Sequence, residues 1–368
     1  MPANLDVATQ RIVVFVSSFT TLAIAIPALY AQFVMIPNFR RKLSSSGITI
    51  EASNPSLFAG CLLTVGLMVA VTIVATLPII ASDNEHQLQE EQFLSSSINF
   101  CEEDFQSSPY IAEPANTMSS LTCYVPLALF GLVSTRHGQR AKRFVVIYST
   151  LLAIGLGSMA LHALLTAQAQ GGDELPMLWF TAAVGFCALD IIFHRYNKTI
   201  WLAVLVAGSA VIATATYIGG RHDFAIFYML FSVYCQTMIF SLIYITLGID
   251  WESISLHEGL QFKAAVLYPL TIATGWSTVL AVWIWVSEML YCNAVMQDGA
   301  FGVVVAPFVW NRVVHPMWHF WSGMLAFLLI QVLVAAHGVQ RGWGTPAIEW
   351  FGTPFVVFRQ DLSQTKSQ

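Results

Sequence analysis

Long apolar runs separated by short polar segments dominate the chain. Nine of them approach the about 20 residues that an α-helix needs to cross a hydrocarbon core. They cover 12–36, 57–81, 116–133, 144–163, 177–193, 201–218, 224–247, 266–290 and 315–334. The first is too long for a signal-peptide core and has no basic leader beyond Arg11, so it reads as a retained helix. Pro27 falls inside it, which neighbouring helices tolerate in a membrane. The pattern predicts an all-α polytopic membrane protein.

Composition agrees. Of 368 residues, 56% are hydrophobic and only 10% charged, against about 25% charged in ordinary soluble domains. Mean hydropathy is +0.66. A net charge of −5 argues against nucleic-acid binding. There is no phosphate-cradling glycine loop and no internal repeat.

Loop charges predict the orientation. Arg40, Arg41 and Lys42 follow the first run; Arg136, Arg140, Lys142 and Arg143 follow the third; Arg195 and Lys198 follow the fifth. Simple alternation puts all three loops on one side, the cytosol by the positive-inside rule. The N-terminus then faces the lumen or exterior and the C-terminus the cytosol. The Asn197 sequon falls on the cytosolic side and should carry no glycan. Segment 82–115, on the other side, has eight acids and no lysine or arginine.

Histidines carry the candidate chemistry. His315 and His319 lie four residues apart, one helical turn, at the mouth of the last run. Two imidazoles on one face at membrane depth need a shared partner or hydrogen-bonding neighbours. His162 ends the fourth run, on the same predicted side. Three neutral imidazoles leave a tetrahedral zinc one open position for water, whose pKa the metal lowers to roughly 7. Ser158 sits one turn before His162, and Asp173 is expected in the short loop after it. The aspartate could take a proton and the hydroxyl could stabilise an oxyanion. Equally, the serine could serve helix packing and the aspartate be solvated.

Three blocks, in this order, resemble the alkaline ceramidases, seven-helix membrane amidases related to the adiponectin receptors. The first is Asn99-Phe-Cys-Glu-Glu-Asp-Phe with Tyr110-Ile-Ala-Glu113 and Asn116-Thr117. The second is Gly157-Ser158, His162 and Asp173-Glu-Leu-Pro-Met177. The third is His315 with Trp318-His319. The resemblance covers about 95–339.

It implies that His162, His315 and His319 bind zinc, that Asp173 is the general base and that Ser158 helps hold the oxyanion. It also implies a calcium site built from the side chains of Asn99, Glu102, Asp104 and Glu113 and the carbonyl of Phe100. This chain has Asn99 and Phe100 where the family typically has aspartate and tryptophan, and Asp104 where it has asparagine. The acid lost at one ligand returns at another, and both residue types offer the oxygens a hard cation takes. A hydrated acidic loop is the alternative. The family also places a disulfide between the regions of Cys101 and Cys292. Two thiols that merely share a side are the other reading.

The expected activity is zinc-dependent hydrolysis of a ceramide-type lipid amide to a sphingoid base and a free fatty acid. Phyto- and dihydroceramides are included. The lipid would enter sideways from the bilayer, with aromatics such as Trp179, Trp318, Phe320 and Trp321 lining its pocket or anchoring at the interface. The alternatives are a receptor-like relative with little hydrolysis and a structural protein that lost its metal. The expected organisation is an N-terminal hairpin and linker over 1–94, the seven-helix domain over 95–340 and a cytosolic tail over 341–368. The N-terminal pair is expected to pack beside the core. The expected membrane is that of the endoplasmic reticulum or Golgi.

Overall fold

The structure is a computed structural model. It describes residues 96–359 except 106–107, 138–141, 195–198, 221–223, 250, 252–255, 299–306 and 351–352; within helices and strands, the side chains of 256–257, 289–298, 307–312 and 350 are also outside the description. The first two apolar runs, the Arg40–Lys42 triplet, Arg140, Arg195, Asn197, Lys198 and the Cys292 side chain therefore lie outside the described residues.

Eight α-helices and a β-hairpin make up the described chain: α1 Pro114–His137, α2 Lys142–Leu164, α3 Ala167–Ile192, α4 Thr199–Gly219, α5 Phe224–Ile243, α6 Leu256–Phe262, α7 Tyr268–Asp298, α8 Pro307–Gln340, then β1 Thr345–Trp350 and β2 Pro354–Arg359. A π-helical turn, Tyr244–Gly248, extends α5, and another, Lys263–Leu267, joins α6 to α7. Among the described residues, seven helical segments are long and apolar enough to span a membrane. The fold is an all-α polytopic membrane protein, as the hydropathy pattern predicts.

Burial separates the spans. The apolar window of α8 is 83% buried and that of α4 only 6%, so α8 is the central staff and α4 the outermost helix. Ile200, Trp201, Val204, Leu205, Val211 and Ile212 of α4 are exposed. An apolar surface of this kind suits lipid, since helical backbone is satisfied internally.

Two local devices set the site end of the bundle. At the start of α1, Pro114 occupies the first turn, where its missing N–H costs nothing. Both oxygens of Glu102 accept from the next two amides, Ala115 at 2.8 Å and Asn116 at 2.9 Å. A carboxylate there satisfies orphan donors and the helix dipole together. Between α2 and α3 the chain turns in two residues. Leu165 takes a left-handed φ of 47°, and the Thr166 hydroxyl caps α3 by accepting from Ala169 N at 3.3 Å.

That turn corrects the expected position of Asp173, which is not in a loop but in the second turn of α3. The apolar pattern begins only at Met177, so the polar turns before it read as loop, whereas α3 starts ten residues earlier.

The opposite end is tied by charge and by the hairpin. Asp190 of α3 accepts from Arg143 of α2 at 2.5 Å and from Thr199 of α4 at 2.6 Å, with Arg341 at 3.8 Å. Segment 345–359, expected as part of a plain tail, forms an antiparallel hairpin with Thr345 opposite Arg359. The start of β2 is buried. Gln331 of α8 accepts the Val356 amide at 3.0 Å and donates to Tyr148 at 2.8 Å. A Cβ on Gly338 would lie 2.0 Å from the Phe358 ring, so the glycine gives that ring its seat.

Candidate active site

The three histidines meet. One side-chain nitrogen from each of His162, His315 and His319 lies within 4.8 Å of the others. Their ring centroids are 4.8, 5.0 and 4.5 Å apart in pairs. All three are nearly fully buried. His162 comes from the last turn of α2 and the other two from successive turns of α8.

Each imidazole has its Nδ1 engaged. His162 Nδ1 meets Glu113 Oε2 at 2.5 Å, His315 Nδ1 meets Glu288 Oε2 at 2.7 Å, and His319 Nδ1 meets Ser119 Oγ at 2.7 Å. A partner on Nδ1 turns Nε2 inward as a lone-pair donor, the usual arrangement around a metal-binding histidine. Glu288, Ser119 and Ser120 were not singled out from the sequence. A glutamate inside an apolar run was the available signal for Glu288; the serines gave none beyond small-residue packing.

Ser158 belongs to the same cluster. Its Oγ is 2.9 Å from Ser120 Oγ and 3.4 Å from His319 Nε2. Asp173 lines the same cavity as Ser158, His315 and His319. What brings its helix so close is Gly157: a Cβ there would lie 1.9 Å from the Gly172 carbonyl oxygen and 2.9 Å from Asp173 N. Two helices can approach to backbone contact only at such a position.

The cavity over the histidines is mostly apolar elsewhere, with Glu174 and Ser232 also in its wall. Phe100, Ile154, Phe227, Phe231 and Trp318 line it. A second space shares Tyr124, Ile154, Met177, Phe231 and Trp318 with it and continues along the bundle to Leu242, Thr274 and Leu329. Residues of α5 and α7 line both, and Tyr228 of α5 stacks on Trp285 of α7 with ring centroids 6.2 Å apart. Of the aromatics expected to line a pocket, Trp318 does. Trp179 is exposed and donates to Thr214 at 3.0 Å; Phe320 and Trp321 pack in or against the core instead.

The acidic block folds over the histidines. The Phe100 ring lies 4.9 Å from His162 and 4.0 Å from His315. Asn99 Nδ2 donates to Asp104 Oδ2 at 3.1 Å, so the swapped pair of residues stands together. Glu102 caps α1 as described, and Glu113 Oε1 accepts the Phe100 amide at 3.3 Å. Asn116 donates to Glu113 Oε2 at 3.1 Å, and its own Oδ1 is buried with no hydrogen-bond partner among the described residues. Cys101 is 1% exposed and is not among the free thiols, which are Cys123, Cys187 and Cys235 among the described residues.

Comparison with known proteins gives this arrangement a context. The chain is 24% identical over 273 residues to an alkaline ceramidase of Arabidopsis thaliana, covering 74% of this chain and 96% of that protein. It is 24% identical over 291 residues to alkaline ceramidase 1 of Homo sapiens, covering 73% and 96%, and 22% identical over 242 residues to alkaline ceramidase 3 of Mus musculus, covering 64% and 82%. A family model described as Ceramidase matches residues 92–356. That match takes in the acidic block, all seven described spans and most of the hairpin, and it places the chain in the ceramidase family.

Proposed function

We propose that the chain hydrolyses the amide bond of ceramide-type lipids, phyto- and dihydroceramides included, at a zinc ion held by His162, His315 and His319. The observation that carries this reading is the buried triad, with every Nδ1 engaged by a carboxylate or hydroxyl and one nitrogen of each ring within 4.8 Å of the others. A neutral three-imidazole donor set is the chemistry of a catalytic zinc site with one position left open. Bound there, zinc polarises the amide carbonyl and supplies a water nucleophile at neutral pH.

The chain's own residues do the rest. Asp173 Oδ accepts the proton that water loses and hands it to the leaving amide nitrogen, so hydroxyl joins the acyl carbon as the C–N bond breaks. The products are a fatty acid and a sphingoid base. Ser158 Oγ donates to the carbonyl oxygen as charge develops on it, and Ser120 holds that hydroxyl in line. The apolar cavity excludes bulk water and takes the lipid chains, whose burial supplies about 25 cal/mol per Å². The lipid enters sideways from the bilayer, its chains passing between helices.

Calcium is the proposed occupant of the acidic block, with Asn99, Glu102, Asp104, Glu113 and the Phe100 carbonyl as ligands. The buried Asn116 Oδ1, without a hydrogen-bond partner among the described residues, supports a hard cation there. A Cys101–Cys292 disulfide, an endoplasmic reticulum or Golgi membrane, a lumenal N-terminus and a cytosolic C-terminus complete the proposal. Incubation of purified protein with a ceramide panel, followed by product analysis, tests the activity. Sphingoid base should appear with wild type and about 10²–10⁴-fold more slowly with Asp173→Asn. No product from any ceramide class would overturn the reading.

A further inference from the structure

Resting on the metal-centre reading above, we propose that Glu288 is a positioning residue for His315, and that the amides of Phe100 and Cys101 fix the carboxylates that aim two of the three imidazoles. The two amides are neighbours in the chain. Phe100 N donates to Glu113 Oε1 at 3.3 Å and Cys101 N to Glu288 Oε1 at 3.4 Å. The second oxygen of each carboxylate meets a histidine: Glu113 meets His162 at 2.5 Å and Glu288 meets His315 at 2.7 Å. The Phe100 ring closes over both imidazoles. One dipeptide thus holds two carboxylate arms, one from the start of α1 and one from α7. The third histidine, His319, has a hydroxyl in that place.

Charge explains why carboxylates are tolerated here. Glu113 and Glu288 are 0% and 1% exposed. Among the described residues neither pairs with a lysine or arginine. Buried carboxylates are costly in their ionised form without a cation nearby, and of the two only Glu113 is a proposed calcium ligand. A divalent ion among the three histidines balances them. A carboxylate on Nδ1 also fixes the tautomer and makes Nε2 a stronger donor. Without metal, Glu288 becomes a liability rather than a support.

That asymmetry gives the test. Full-length protein in detergent is stripped of metal, and zinc affinity is measured by chelator competition for wild type, Glu288→Gln and Glu288→Asp. Thermal unfolding is recorded with and without zinc. Glu288→Gln should weaken zinc about 10–100-fold, while its metal-free form unfolds no earlier than metal-free wild type. Glu288→Asp, which keeps the carboxylate, should recover part of the lost affinity. Zinc affinity of Glu288→Gln within twofold of wild type overturns the inference. So does a Gln variant that is destabilised equally, or fails to fold, without metal, because the role is then structural. A wild type that holds no zinc overturns the metal-centre reading itself, and this inference with it.

Discussion

Gly157 and Gly172 bring α2 and α3 into backbone contact: a Cβ on Gly157 would lie 1.9 Å from the Gly172 carbonyl oxygen. The next residue on each helix is Ser158 or Asp173, so this one contact sets where the proposed hydroxyl and carboxylate stand. Backbone cannot swing aside as a side chain can. Gly157→Ala should therefore cost at least about 3 kcal/mol of stability, the upper end for overpacking, and abolish turnover even where protein is recovered. Thermal unfolding and ceramide turnover on the same preparation measure both. A variant of wild-type stability and activity would show that the helices can separate freely.

Asp173→Asn should separate chemistry from metal binding. Asparagine fills the same space but cannot take a proton, so turnover should fall about 10²–10⁴-fold with zinc content unchanged. Metal analysis alongside the product assay reads the two effects. Equal loss of zinc and turnover would move Asp173 from proton transfer to support of the site.

The serines should rank. Ser158→Ala removes the donor proposed for the developing oxyanion and should lower kcat by about 10²–10³. Ser120→Ala leaves that donor but removes the partner 2.9 Å from it, so the loss should be smaller. A Ser120 effect equal to or larger than the Ser158 effect would reverse the assignment.

At the far end of the bundle, Asp190→Asn breaks the contact to Arg143 made at 2.5 Å, where the side chains are 2% and 19% exposed. Leaving one partner of a buried pair uncompensated typically costs about 3–5 kcal/mol, and partial exposure of Arg143 places the expected loss at about 3. Zinc content should not change, because the cluster and the histidines sit at opposite ends of α2 and α3. A drop in metal content would show that the two ends are coupled.

The seven described spans are legible because each buries or exposes a long apolar run, and the histidines because a polar ring is conspicuous inside one. Asp173 was recognised by its motif but misplaced, since the Ala-Gln-Ala-Gln-Gly-Gly turns before it lack the apolar spacing that marks a helix. For Glu113 the motif implies a calcium ligand; its bond to His162 depends on how the acidic block folds back over α2, which no local pattern encodes. Glu288 was visible as a charge near the end of an apolar run, yet its partner lies 27 residues on. The hairpin was missed because β1 is half exposed and carries Pro346 and Glu349. Its anchor, Gln331, reads as one polar residue in an apolar helix.

Zinc titration into the metal-stripped protein, with ceramide turnover followed at each addition, tests the central claim most directly. Turnover should rise in proportion to bound zinc and level off at about one ion per chain, as one three-histidine centre requires. Full turnover in protein carrying less than about a tenth of an equivalent of metal would contradict it, since a centre with one site per chain can then act in only about that fraction of molecules.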